Sequence, residues 1–251
     1  MLQLLTIMAC NNNLDRLSSV LNGHDHLENC KPDLLGNNIM RQALSLSDRF
    51  CVQFDRLLKT MLPSEHSERA YPAQAIEEPA LSKQQRRHSA GLMRVNHSGE
   101  VAAQALYQGQ SLTAKLPDVR EQMQQAAHEE MDHLAWCQRR LQELNSRPSL
   151  LNPVWYLNSL ILGAFAGWLG DRWSLGFVSE TEQQVSDHLE KHLSQLPDDD
   201  NKSRAVVDQM RLEEQQHQQT AIDAGAAELP ATVKIMMRMM AKVMTTTAYW
   251  I

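Results

Sequence analysis

Glu130 and His133 stand three residues apart in the run His128-Glu129-Glu130-Met131-Asp132-His133. On a helix that spacing puts a carboxylate and an imidazole on one face, within reach of one metal ion. The pair recurs as Glu214 and His217 in Glu213-Glu214-Gln215-Gln216-His217. In a chain with 10 His and abundant Glu, a single Glu-x-x-His on a solvated helix arises easily by chance. Two of them, each following a helix with one more inward Glu, call for a common explanation. The first such Glu is Glu100, the one acidic residue between Glu78 and Asp118, set among Ala102, Ala103 and Ala105. The second is Glu182, which shares a stripe with Val178, Val185 and Leu189, whereas Glu180 aligns with Gln183, Gln184 and Asp187.

The elements that must position these residues follow from the spacing. Thirty residues separate Glu100 from Glu130 with Pro117 near the middle, and 32 separate Glu182 from Glu214 with Pro197 at the middle. Two antiparallel helices in each half would bring both carboxylates to one height, roughly 20–25 Å from the turn at 1.5 Å per residue. Glu130 shares its stripe with His133, Leu134, Cys137 and Leu141, and Glu214 with Val207, Met210, His217 and Ala221, so both pairs lie on inward faces. An inward carboxylate is costly unless it is paired or binds a metal.

Joined, the halves offer Glu100, Glu130, His133, Glu182, Glu214 and His217 inside a four-helix bundle. That is the ligand set of ferritin-like di-iron carboxylate proteins. Glutamate oxygens are hard and can bridge two ions, imidazole suits iron, and four carboxylates neutralise two divalent cations. Asp132 and His188 are candidates for orienting the ligands from behind, although ordinary solvated helix positions would look the same. Glu129 points to a more polar side and is not counted as a ligand. His97 and His128 carry a weaker signal, and His24 and His26 lie in the leader.

The remaining chain fits an all-α fold. Hydrophobic residues make up 43% and aromatics 5%, and no strand-like alternation is present. The net charge of −6 argues against nucleic acid as a partner. Cys10, Cys30, Cys51 and Cys137 show no CxxC spacing and read as free thiols. Residues 1–44 read as a disordered leader or a mis-assigned start, with Met40 an alternative start, and residues 45–80 as a short amphipathic helix and an exposed linker. Residues 81–251 form the bundle domain. Its helices are expected from about Gly91 or earlier to Lys115, from a capping box at Asp118 and Glu121 to about Asn145, to about Leu196, and from an N-cap in the turn Pro197-Asp198-Asp199-Asp200-Asn201 to about Ala224. The apolar stretch Val154 to Leu169 reads as a buried or membrane-dipping helix, too interrupted to span a bilayer. Ala231 to Ile251 reads as an amphipathic, Met-rich helix with Lys234, Arg238 and Lys242 on one stripe.

The run Leu92-Met93-Arg94-Val95-Asn96-His97-Ser98-Gly99-Glu100-Val101-Ala102-Ala103-Gln104-Ala105-Leu106-Tyr107 closely resembles the first-helix signature of the demethoxyubiquinone hydroxylases. Glu129-Glu130-Met131-Asp132-His133 resembles the second-helix motif, Glu182 with His188 the third, and Glu214 with His217 the fourth. The resemblance runs from about Ser45 to the C-terminus. It implies that the same six residues hold two iron ions, and that the enzyme is an O2-dependent monooxygenase of ubiquinone biosynthesis. The implied reaction hydroxylates the ring of a polyprenyl-methoxy-methyl-benzoquinol. It also implies a peripheral protein on the cytoplasmic side of the cell inner membrane, meeting other ubiquinone-biosynthesis proteins there. The two apolar helices outside the ligand set are the expected membrane-associating surfaces. A ferritin- or rubrerythrin-like iron-binding or storage bundle is the alternative reading, and a scaffold without metal is a third.

Overall fold

A computed structural model describes residues 46–62 and 67–251, with only the backbone described for 46–50. The proposed leader and Met40 lie outside the described residues, as does the start of the linker. Among the described residues seven helices are formed: α1 (Leu46–Met61), α2 (Lys83–Thr113), α3 (Pro117–Glu143), α4 (Asn152–Leu169), α5 (Asp171–Gln195), α6 (Asn201–Asp223) and α7 (Ala231–Ala248). No strand occurs among the described residues. All helices from α2 onward belong to one compact unit, Val52–Ile251.

The ferritin-like bundle is made by α2, α3, α5 and α6. α2 lies along α3, and α5 along α6, with α4 laid on the outer side of α2 and α7 against α2 and α5. Of three apolar clusters among the described residues, the two larger fill most of the interior. One joins Leu92, Met93, Trp136, Leu141, Leu189 and Met210, and the other joins Tyr107, Met123, Leu175 and Val178. The metal-ligand candidates sit in the same bundle, so the packing that stabilises it also fixes their positions.

Local chemistry explains where the helices begin and end. α2 starts eight residues earlier than about Gly91, because Ser82 and Gln85 form a capping box there. The capping box expected at Asp118 and Glu121 is not formed. Pro117 takes the first turn of α3 instead, and the Asp171 carboxylate accepts the N–H groups of Lys115 and Leu116 from the start of α5. Asp200 caps α6 by accepting the Ser203 N–H, and Gly225 follows that helix at φ +94°, where a Cβ would be strained.

The stretch expected to be an exposed linker is partly packed. Tyr71 and Ala73 are buried in the larger apolar cluster, and Glu78 pairs with buried Arg140. Residues 67–80 form a strap over the bundle, held by side chains that no periodicity reveals.

α4 is amphipathic and buried on one side only. Asn152, Tyr156, Gly163, Ala166 and Gly167 face inward, whereas Val154, Leu157, Ile161, Phe165 and Trp168 are exposed. The inner glycines let two backbones touch: a methyl group on Gly109 would strike the Leu160 carbonyl, and one on Gly163 the Leu106 carbonyl. α7 exposes Ile235, Met236, Met239, Met240 and Val243. Among the described residues, no helix is long and apolar enough to cross a membrane.

Candidate metal centre

Four carboxylates and two imidazoles converge at mid-bundle. Glu100 comes from α2, Glu130 and His133 from α3, Glu182 from α5, and Glu214 and His217 from α6. Glu100, Glu130, Glu182, Glu214 and His133 are all buried, and His217 is 14% exposed. The ligand atoms fall into two groups, each within 4.8 Å: Glu100, Glu130, His133 and Glu214, and Glu130, Glu182, Glu214 and His217. Each group holds one imidazole and three carboxylates, and the two share Glu130 and Glu214. The result is one continuous cluster in which either group could hold a metal ion.

The distances show which atoms turn inward. His133 Nδ1 lies 3.0 Å from Glu130, 3.2 Å from Glu214 and 3.7 Å from Glu100. His217 Nδ1 lies 3.1 Å from Glu130 Oε1 and 3.6 Å from Glu214 Oε2. Yet those three atoms, His217 Nδ1, Glu130 Oε1 and Glu214 Oε2, are buried without any hydrogen-bond partner. They surround a common point but are not aligned to bond one another. Buried polar atoms in that condition are expensive, and a shared cation would satisfy all three. The residues therefore fit a metal.

Electrostatics point the same way. Burial, reinforced by Glu130, raises the Glu100 carboxyl well above the ordinary range, and burial with Glu214 does the same to Glu182. Burial also opposes charge on Glu130, but His133 and His217 outweigh it and hold that carboxyl well below the ordinary range. Burial pushes the His133 imidazole down, and Glu130 with Glu100 overturns this and raises it far above its usual value. The cluster thus draws positive charge to its centre, which a divalent cation supplies more fully than a proton.

Both Nε2 atoms face outward to carboxylates not counted as ligands. His133 Nε2 meets Glu213 at 2.6 Å, and His217 Nε2 meets Glu129 at 2.7 Å. Each of these glutamates immediately precedes the bridging Glu of the opposite motif, so each helix braces the other's histidine. Sequence reasoning set Glu129 aside and passed over Glu213, though the doubled Glu-Glu-x-x-His was a visible signal. Tyr107 donates its hydroxyl to Glu182 from within the second apolar cluster.

Asp132 stands one step farther out, accepting the Glu68 N–H at 2.7 Å and the Arg69 Nε at 2.6 Å. His188 is not in either ligand group. Its ring lies 3.9 Å from that of His192, and it lines the cavity that adjoins the cluster. Two other inner histidines have partners in the framework: His97 meets Asn152 at 3.2 Å and His192 meets Asn96 at 2.7 Å. Glu180 faces α7, where it pairs with Lys234 at 3.4 Å and Arg238 at 3.5 Å.

A cavity of about 650 Å³ adjoins the cluster. Glu100 forms part of its wall, with Leu106, Trp155 and Phe177, and so do Met240 and Val243, which are exposed on the outer surface of α7. Its lining is mainly apolar, and its size is that of ordinary small-molecule sites.

Comparison with known proteins gives a consistent picture. The family model described as "Ubiquinone biosynthesis protein COQ7" matches residues 87–248. The chain is 57% identical over 202 residues to the 3-demethoxyubiquinol 3-hydroxylase of Dechloromonas aromatica, covering 80% of this chain and 98% of that protein. It is 57% identical over 206 residues to the enzyme of that name from Azotobacter vinelandii, covering 82% and 96%. With that of Pseudomonas aeruginosa (strain LESB58) it shares 56% identity over 204 residues, covering 80% and 94%.

Proposed function

The chain belongs to the COQ7 family of ubiquinone biosynthesis proteins, and on that footing we propose that it is a 3-demethoxyubiquinol 3-hydroxylase whose buried cluster holds two iron ions. A ring C–H of the polyprenyl benzoquinol becomes C–OH. One oxygen atom of O2 ends in that hydroxyl, and the other leaves as water, taking two electrons from a reductant and two protons. The two shared carboxylates, Glu130 and Glu214, carry this reading, because they make one cluster into a pair of sites.

When bound, the iron pair supplies the activation of dioxygen that no side chain here can provide. The protein's own residues do the rest. Glu100, Glu130, His133, Glu182, Glu214 and His217 would hold the ions, with Glu130 and Glu214 common to both ligand groups. Glu213 and Glu129 hold the imidazole Nε2 atoms so that Nδ1 faces inward. Tyr107 donates a hydrogen bond from its hydroxyl to Glu182 and so holds that carboxyl in place. The apolar cavity supports delivery of a ring beside Glu100 while excluding water, a feature an iron-storage bundle does not need.

The substrate's polyprenyl tail calls for a lipid source. The exposed stripes of α4 and α7 are suited to lie in a membrane interface beside the cavity mouth. We place the protein as a peripheral one on the cytoplasmic face of the inner membrane, where other enzymes of the pathway would hand over substrate. Lys234 and Arg238 are engaged with Glu180, so apolar contact is the larger expected contribution. Vesicle flotation tests this: the protein should float with phospholipid vesicles, and Phe165→Glu with Trp168→Glu should abolish flotation. Unchanged flotation of that double variant would sink the membrane reading.

The reaction itself is tested with purified protein, a short-chain demethoxyubiquinol, a chemical reductant and 18O2. One labelled oxygen in the product is expected. Unlabelled product, or none from iron-loaded protein, overturns the assignment.

A further inference from the structure

Arg69 sits in the strap that precedes the bundle, outside the residues 87–248 matched by the family model. Its Nε lies 2.6 Å from Asp132 on α3, and one Nη lies 2.8 Å from Glu213 Oε2 on α6. The same Glu213 oxygen meets His133 Nε2 at 2.6 Å. The guanidinium also lies over the Trp136 ring at 4.8 Å, and Trp136 stands 5.4 Å from the His133 ring. One planar cation therefore joins two carboxylates from different helices and covers the aromatic wall of one histidine. Such a fork fixes direction as well as charge.

The other half of the cluster is braced differently. His217 is 14% exposed where His133 is 0%, and its brace Glu129 is 38% exposed, with the Gln125 side-chain amide on its other oxygen. Glu213 carries such a same-helix amide too, from Gln209, so the guanidinium is what the His133 half has in addition; Arg69 reaches Glu129 only at its backbone carbonyl, at 3.5 Å.

We propose that Arg69 is a positioning residue for the metal centre: by holding Glu213 against His133, it makes the His133 half the tighter of the two metal sites. This rests on the two-metal reading of the cluster and concerns the metal-binding step, ahead of any turnover. The strap is also fastened elsewhere, by Glu78 on Arg140 and by Arg139 stacked 4.2 Å over Tyr71. Those contacts hold the segment without reaching the histidine, and they supply the control.

The test is an anaerobic titration of the full chain with Co(II), following the visible absorption of each equivalent bound, with thermal unfolding as the check of folding. Wild-type protein should bind two equivalents of unequal affinity, and His133→Ala should lose the tighter one. Arg69→Met should weaken the tighter equivalent about tenfold, as expected for removal of an orienting partner, and shift its absorption band. The weaker equivalent should stay within about twofold. Arg69→Lys should recover part of the loss, since an ammonium keeps the charge but not the fork, and it carries the test if the Met variant does not fold. Arg139→Met should leave both equivalents unchanged. Unaltered binding in the Arg69 variants overturns the inference, as does equal weakening of both sites or the same effect from Arg139→Met. Wild-type protein that takes up no Co(II) overturns the two-metal reading, and this inference with it.

Discussion

His133 and His217 face each other across the carboxylate cluster with ring centroids 6.2 Å apart. Each is braced from behind by a glutamate on the helix that carries the other. The cluster is therefore cross-tied, and the orientation of each imidazole depends on how α3 and α6 are packed together.

Loss of one brace should be felt at the metal before it is felt by the fold. Glu129→Ala leaves His217 Nε2 without its carboxylate, so metal affinity and turnover should each fall about tenfold, the lower end for removal of such a partner. Because Glu129 is partly exposed, the midpoint of thermal unfolding should move little. Metal analysis beside a melting curve checks this, and a large loss of stability with metal binding intact would contradict it.

Acid should destabilise the fold through histidines outside the cluster. Burial lowers His97 and His188 to about 4, and His192 to about 2, from an ordinary 6.5. Folded protein therefore keeps them neutral while unfolded chain takes up protons below pH 6.5. Stability is fully present above that pH and falls as pH drops toward 4, by about 1.4 kcal/mol per unit for each group. His192→Gln can still donate to Asn96 and should flatten the profile between pH 6.5 and 4. Urea melts across that range give the comparison, and identical slopes would remove His192 from the account.

The six cluster residues were legible because each lies on a helix with a clear apolar stripe, where an inward carboxylate stands out. Glu129 was set aside because periodicity puts it on a more polar side, and Glu213 was passed over although the doubled Glu-Glu-x-x-His marks it. Their role depends on reaching across to another helix, which helical spacing alone does not reveal. Arg69 was harder still, because a strap without regular structure has no period to read. The start of α3 misled for another reason: Asp118 and Glu121 had the right spacing, but Pro117 and the distant Asp171 satisfy that end. The basic stripe of α7 was visible, while its engagement by Glu180 required the packing of α5.

The docking of α4 depends on two backbones in contact. Gly163→Ala would drive its new methyl group into the Leu106 carbonyl. Neither backbone can yield without parting the helices, so a loss of about 1–3 kcal/mol is expected. Denaturant unfolding measures it, and a neutral result would mean that α4 is held by its side chains alone.

Arg140 is 1% exposed and joins Glu78 of the strap, Glu143 of α3 and Asp200 at the α6 cap. Truncation to Ala strands the buried Asp200 carboxylate, and about 3–5 kcal/mol of stability should be lost. The strap should loosen as well, so limited proteolysis between residues 67 and 80 should quicken. Resistance equal to the wild type would show that the strap is held by Tyr71 and Ala73 instead.

The central claim is that Glu130, shared by both halves of the cluster, helps to hold a pair of irons that the hydroxylation needs. Its most direct test is Glu130→Ala, read by iron content of the purified protein and by the quinones of cells that depend on it. Wild-type protein should carry close to two irons per chain, and the variant far less, with demethoxyubiquinone accumulating in place of ubiquinone. Normal ubiquinone in the variant cells, or a wild-type protein that takes up no iron, would contradict the account.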